Sequence, residues 1–242
     1  MLAHSPLATA GFVLGLLAGI PAAQAFRLVP IEIEFAPSGR GATQIVRVEN
    51  DRSDPAAIEI RMMGREMTAD GEDRLTPADD SFVVHPAQIV LMPGQGQSVR
   101  VQWAGPSAPD RELPFRLVAE QLPVDLGAAP PQGGQVRLLV RYVASVYVAP
   151  QGARPDVQVA RANSAPGGML ELVLVNRGTA HRILREPVLT VSGGGRSVTL
   201  QGEALKGLGG ENILAGVERR FLLPWPGGLP QGAITASLNL AP

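Results

Sequence analysis

The sequence predicts an all-β protein in two halves, the first with the pattern of an immunoglobulin-like sandwich. Three observations lead there. Short runs of alternating apolar and polar residues recur from residue 26 to residue 242, bounded by turn-forming Pro, Gly, Asn and Asp. Glycine (28 residues) and proline (22) are both abundant, as many short strands joined by turns require. In the second half no 3.6-residue apolar period persists over about eleven residues or more, so no amphipathic helix is expected there.

A chain of 242 residues is long enough for two ordinary domains. The formal net charge of −1 provides no global field to draw it to nucleic acid or anionic lipid. Aromatic residues make up 4%, too few for platforms that stack bases or sugars, and Lys206 is the only lysine. The absence of cysteine excludes disulfides, zinc–thiolate sites and a cysteine nucleophile. Residues 1–25 read as a secretory signal. Gly11 to Ile20 is an apolar core of signal-peptide length, and Ala23-Gln24-Ala25 fits a small-x-small cleavage site before Phe26. The segment before that core has His4 but no Lys or Arg, which leaves an uncleaved anchor as the alternative. No other stretch approaches membrane-spanning length, so the mature chain is expected to be exported and not inserted in a membrane.

Within residues 26–37 a first strand alternates Ile31, Ile33 and Phe35 with Glu32 and Glu34. Thr43 to Glu49 alternates next, and Asn50 to Pro55 is a turn. Ala57 to Met63 is a third strand, with Ile58, Ile60 and Met62 on one side. Thr68 to Asp80 is acidic and reads as a solvated loop. It lacks the ordered spacing and the distal glutamate of a calcium loop. Phe82 to Leu91 comes next, with Pro86 inside it, and then the turn Met92 to Gly96. Gln97 to Trp103 buries Val99, Val101 and Trp103, and Phe115 to Leu122 is a strand ended by Pro123. Seven or eight strands over about 125 residues, spaced by turns, are what suggest the immunoglobulin-like sandwich. The second half repeats the style with strands at Asp156–Arg161, Met169–Asn176, Val188–Val191, Ser197–Leu200, Glu218–Leu223 and Ala233–Leu240.

The longest β-like run is Gln135 to Pro150, free of Gly and Pro until its end. One parity carries Val136, Leu138, Val140, Tyr142, Ala144 and Val146; the other carries Arg137, Leu139, Arg141, Val143, Ser145 and Tyr147. It comes after the Pro/Gly-rich stretch Gly127–Gly134, expected to be mobile, and closes on Pro150-Gln151-Gly152. That placement suits an edge strand, while the composition also suits a central core strand.

Catalysis has little support. With His4 removed, only His85 and His181 remain, and nothing resembles a nucleophile motif or a metal-ligand spacing. Glu32 and Glu34 share a wet face, without the aromatic surface a glycosidase needs. Met62, Met63 and Met67 read as core filling with one exposed Met rather than a soft-metal site. Neither cofactor nor metal is expected.

The run Pro86 to Val101, P-A-Q-I-V-L-M-P-G-Q-G-Q-S-V-R-V, resembles the Pro-Gly signature of the PapD-like periplasmic pilus chaperones. Phe115 to Pro123 resembles their F strand, and the Pro/Gly-rich loop and long strand closing on Pro150 match the two segments that come after that strand in the family. Leu174 to His181 resembles a turn of the archaic branch, and Leu214-Ala215-Gly216 with Arg219-Arg220 resembles another of its segments. The resemblance spans residues 26–242 and implies two immunoglobulin-like domains, 26–149 and 150–242, set at an angle in an L. It implies a non-enzymatic protein of the periplasm. Its partners would be pilin subunits, capped by lending a strand, and an outer-membrane usher that receives them. The residues matching the family's donor positions are Val136, Leu138 and Val140, with Tyr142 a fourth. The family's basic pair for the subunit carboxylate falls here on Glu32 and Ser145, neither of them basic, which leaves Arg116 or Arg141 as substitute anchors. That departure also permits an exported structural or adhesive β-sandwich protein without chaperone activity.

Overall fold

Two prolines decide how the first half is layered. In the computed structural model, which describes residues 26–124 and 138–241, Pro30 divides the predicted first strand into β1 (Phe26–Val29) and β2 (Glu32–Phe35). Without an N–H to continue a ladder, the chain crosses from one sheet to the other at that point. Accordingly Ile31, expected inward with Ile33 and Phe35, is 66% exposed while those two are buried. Pro86 acts the same way later.

The first half continues with β3 (Thr43–Asn50), β4 (Ala56–Met67), β5 (Asp73–Pro77), β6 (Phe82–His85), β7 (Gln88–Leu91), β8 (Gly96–Trp103), β9 (Leu113–Gln121) and β10 (Arg141–Val148). One sheet runs β1-β3-β8-β6, and the other runs β2-β10-β9-β4-β5 with β7 also on β4. Alternation supplies the core between them: Val46, Val48, Ile58, Ile60, Met62, Val99, Val101, Leu117 and Val146 are all buried there. Phe82 meets Phe35, Trp103 and Phe115 edge to face, so much of the sparse aromatic content sits at one place.

Three expectations are corrected. The acidic loop Thr68–Asp80 contains a strand, β5, hairpinned onto β4, and its Asp70 and Asp73 hold arginines rather than facing only water. The long strand begins at Arg141, with Leu138–Val140 outside any regular strand. Met63 and Met67 are both half-buried beside the buried Met62, so none of these methionines is exposed.

The second half comprises β11 (Val157–Ala165), β12 (Met169–Asn176), β13 (Arg182–Ile183), β14 (Val188–Gly193), β15 (Arg196–Leu200), β16 (Asn212–Ile213), β17 (Glu218–Pro224) and β18 (Thr235–Asn239). They form the sheets β11-β12-β17, β13-β16 and β15-β14-β18. Leu170, Leu172, Leu174, Leu189, Val191, Phe221 and Leu223 enclose a second core, separate from the first.

Polar contacts join the halves. The β4–β5 turn reaches β17: Arg220 donates its backbone N–H to Ala69 O at 2.7 Å and its guanidinium to Asp70 at 2.7 Å. The Asp70 hydrogen bond and charge hold the Arg220 pKa above its ordinary value. Gly71, at φ +87°, leaves no room for a Cβ, which would lie 1.8 Å from Arg219 Nη2. The buried Glu112 accepts from the His181 backbone at 3.0 Å and lies 2.8 Å from its Nδ1. The predicted signal, the Gly127–Gly134 stretch and Val136 lie outside the described residues.

Candidate functional site: an open strand edge beside a paired arginine cluster

β10 is paired along its whole length on one edge only. Antiparallel β9 accompanies it from Arg141 to Val148, whereas parallel β2 reaches only Ser145 to Val148 on the other edge. The Gln121 N–H bonds to Val140 O, so the even-numbered residues turn their backbone groups toward β9. The Ser145 N–H bonds to Ile31 O, so the odd-numbered residues face the other edge. By that alternation Arg141 and Val143 present N–H and C=O groups where no described strand lies. Such an edge is a template for another strand.

The side chains around this edge are unusually apolar for a surface. Leu138 is 63% exposed, Leu139 46% and Val143 45%. Val140 and Tyr142 are half-buried and pack on the first core, the Tyr142 ring standing edge-on to Phe26 at 4.9 Å. Of the predicted donor residues, then, Leu138 is free, Val140 and Tyr142 are partly engaged internally, and Val136 is undescribed. Leu139 and Val143, on the opposite parity, were not singled out by sequence. Their apolar character is plain in the run, but only the missing strand partner reveals its consequence.

Behind the edge, the outer face of the sheet carries a polar row. Glu32, Ser145, Arg116 and Met63 are successive cross-strand partners on β2, β10, β9 and β4. Arg116 donates Nη1 to Ser145 Oγ at 2.5 Å, and Nε and Nη2 to Asp73 Oδ2 at 2.8 and 2.6 Å. Arg65 donates Nε to Asp73 Oδ1 at 2.7 Å and Nη1 to the Tyr147 hydroxyl at 3.4 Å. Side-chain exposure is 4% for Arg65, 17% for Arg116 and 21% for Asp73. Two arginines thus share one carboxylate in a poorly hydrated place, where charge-assisted hydrogen bonds are strong. Tyr147 extends the network: its ring stacks on His181 at 3.7 Å and its hydroxyl accepts from Asn212 Nδ2 at 2.8 Å.

Arg141 lies elsewhere. It is exposed, is paired in register with Glu120, and stands two pleats from Ser145, about 13 Å along the strand. Arg65 and Asp73 were missed by sequence, since β4's alternation marks Arg65 only as outward and Asp73 sits in an acidic run. No group of His, Asp and Glu among the described residues has the arrangement of a metal site. No helix among them is long and apolar enough to cross a membrane.

Comparison with known proteins bears on this arrangement. Residues 33–154, half of the chain, match the family described as pili and flagellar-assembly chaperone, PapD N-terminal domain. The chain belongs to this family. No curated protein sequence matches significantly. Among solved structures, the class 5 fimbriae chaperone CfaA is 16% identical, with a TM-score of 0.56 over 89% of this chain and 100% of its own. A chain of the CsuC–CsuE chaperone–tip adhesion subunit pre-assembly complex from archaic Csu pili of Acinetobacter baumannii is also 16% identical. Its TM-score is 0.56 over 81% of this chain and 89% of its own. A chain from a chaperone–tip adhesin complex of CFA/I fimbriae biogenesis is 15% identical, with a TM-score of 0.57 over 90% of this chain and 98% of its own. At this identity the likeness concerns the fold, the two-domain β-sandwich of fimbrial chaperones. The family is non-enzymatic, and the protein is no enzyme.

Family membership gives Glu32 and Ser145 a context. The sequence comparison counts them as the positions of the family's basic pair, and in the fold they are direct cross-strand partners. Neither is basic, but the Arg116 guanidinium reaches Ser145 from the adjacent strand. Arg116 of β9 thus places a guanidinium beside Ser145, in a row where β2 and β10 contribute Glu32 and Ser145 and no cation.

Proposed function

We propose that the protein is a periplasmic pilus-assembly chaperone that lends β10 and the residues before it to an incomplete pilin subunit, then releases the subunit to an outer-membrane usher. The observation that carries this reading is the edge of β10 from Arg141 to Ala144, without a strand partner among the described residues and flanked by the exposed Leu138. An added strand would take its backbone hydrogen bonds from Arg141 and Val143, while Val136, Leu138 and Val140 fill its groove. At about 1.5–3 kcal/mol for each large apolar side chain taken from water to full burial, Val136 and Leu138 give a gross gain of roughly 3–6 kcal/mol, to which the half-buried Val140 adds less, before the costs of association. Tyr142 holds the root of the lent segment against Phe26.

In this reading the subunit's terminal carboxylate sits beside Arg116 Nη1 and Ser145 Oγ, and Arg141, two pleats away, meets the partner strand further along. The second reading, a structural or adhesive sandwich, draws on the internal packing of Val140 and Tyr142. Recovery of the tagged mature protein from the periplasm of its host separates the two. A stoichiometric small β-rich partner is expected. A monomer without any partner would overturn the chaperone reading and favour the structural one.

A further inference from the structure

The polar row at the end of the open edge is not the purely cationic one that a carboxylate alone would require. Arg116 is already engaged on one side, with Nε and Nη2 both on Asp73 Oδ2. Only Nη1 turns toward Ser145. A carboxylate arriving at Arg116 is therefore confined to the Ser145 side, because Asp73 occupies the other. On that side the next residue in the row is Glu32, the cross-strand partner of Ser145, exposed and without an ion pair to any described residue. Cross-strand partners project from the same face of a sheet, and adjacent strands lie about 4.8 Å apart. An incoming carboxylate would thus sit within a few ångström of a second carboxylate. Like charges placed this way repel, and opposite charges attract by a similar amount. A strand that brings its own cation removes the conflict and satisfies Glu32.

We infer that Glu32 is a specificity-determining residue: among strands ending in a free carboxylate, it selects those with a basic side chain at or next to the carboxyl end. The inference rests on the strand-lending reading proposed above and adds the chemistry of the segment that is bound. Glu34, one pleat along β2 and opposite Tyr147, is also exposed, but it lies one row from Arg116 and serves as the control.

The test uses the mature chain and synthetic peptides of one alternating apolar body. They end in Lys-Lys, Gln-Gln or Glu-Glu with a free carboxylate, or in amidated Lys-Lys. Affinities are measured in 0.15 M salt, where long-range fields are screened beyond about 8 Å. The Lys-Lys peptide is expected to bind about tenfold more tightly than Glu-Glu, falling to about twofold in Glu32→Gln and persisting in Glu34→Gln. Amidation is expected to weaken Lys-Lys binding in all three proteins. An unchanged preference in Glu32→Gln, or an equal loss in Glu34→Gln, overturns the inference while leaving the anchor reading in place. If amidation has no effect, or no peptide binds, the anchor reading itself fails and the inference falls with it.

Discussion

Leu138→Arg is expected to abolish subunit capture while leaving the fold intact. Leu138 is 63% exposed and precedes β10, so the free protein loses almost nothing, within about 0.5 kcal/mol. In the complex the same position enters an apolar groove. The substitution then forfeits about 1.5–3 kcal/mol of apolar burial and adds the larger penalty of an unpaired buried charge. Together these exceed a hundredfold in affinity, taking about 1.4 kcal/mol per tenfold. Capture of a co-expressed subunit and thermal unfolding of the free protein measure the two halves of the prediction. Capture at wild-type levels would show that Leu138 is not a donor residue. A large fall in melting temperature would show that it already belongs to the protein's own core.

Asp73→Asn is expected to act in the opposite manner, on stability first. Asp73 is the one carboxylate shared by Arg65 and Arg116, and Arg65 has only 4% of its side chain exposed. Removing one partner of a buried pair typically costs 3–5 kcal/mol. With a fifth of Asp73 in contact with solvent, the lower end applies, about 3 kcal/mol or roughly 10 °C in melting temperature for a chain of this size. The cost arises from two guanidiniums left facing one neutral amide. Asp73→Asn combined with Arg65→Met should therefore be less destabilised than the sum of the two single changes, by more than about 1 kcal/mol. Chemical denaturation of the four proteins checks this. Additive effects, or a loss below about 1 kcal/mol for Asp73→Asn alone, would mean that solvent already screens the cluster.

Much of this architecture is legible in the sequence because period-2 alternation marks buried faces reliably. Val99, Val101 and Trp103 on β8, and Ile58, Ile60 and Met62 on β4, are buried as read. Alternation does not say which sheet a strand joins, so the runs broken by Pro30 and Pro86 read as single strands although each contributes to two sheets. Nor does it distinguish an acidic loop from an acidic hairpin: β5 carries Asp73 through a segment whose composition indicates only solvation. The open edge was suggested by the long run before Pro150, but its limits depend on how far β2 extends alongside it, a tertiary fact. The paired arginine cluster was the least legible feature. Arg116 drew attention through the family's missing basic pair, whereas Arg65 and Asp73 become meaningful only once β4, β5 and β9 lie side by side.

If β10 is lent to a subunit, its outward backbone stays unpaired until a partner strand arrives. Amide hydrogen exchange resolved to single residues, on the free protein and on the protein with a captured subunit, tests it most directly. Rapid exchange is expected at Arg141 and Val143 in the free protein and strong protection of both in the complex, with Tyr142, bonded toward β9, protected throughout. Protection of Arg141 and Val143 in the free protein, or no gain on capture, would contradict it.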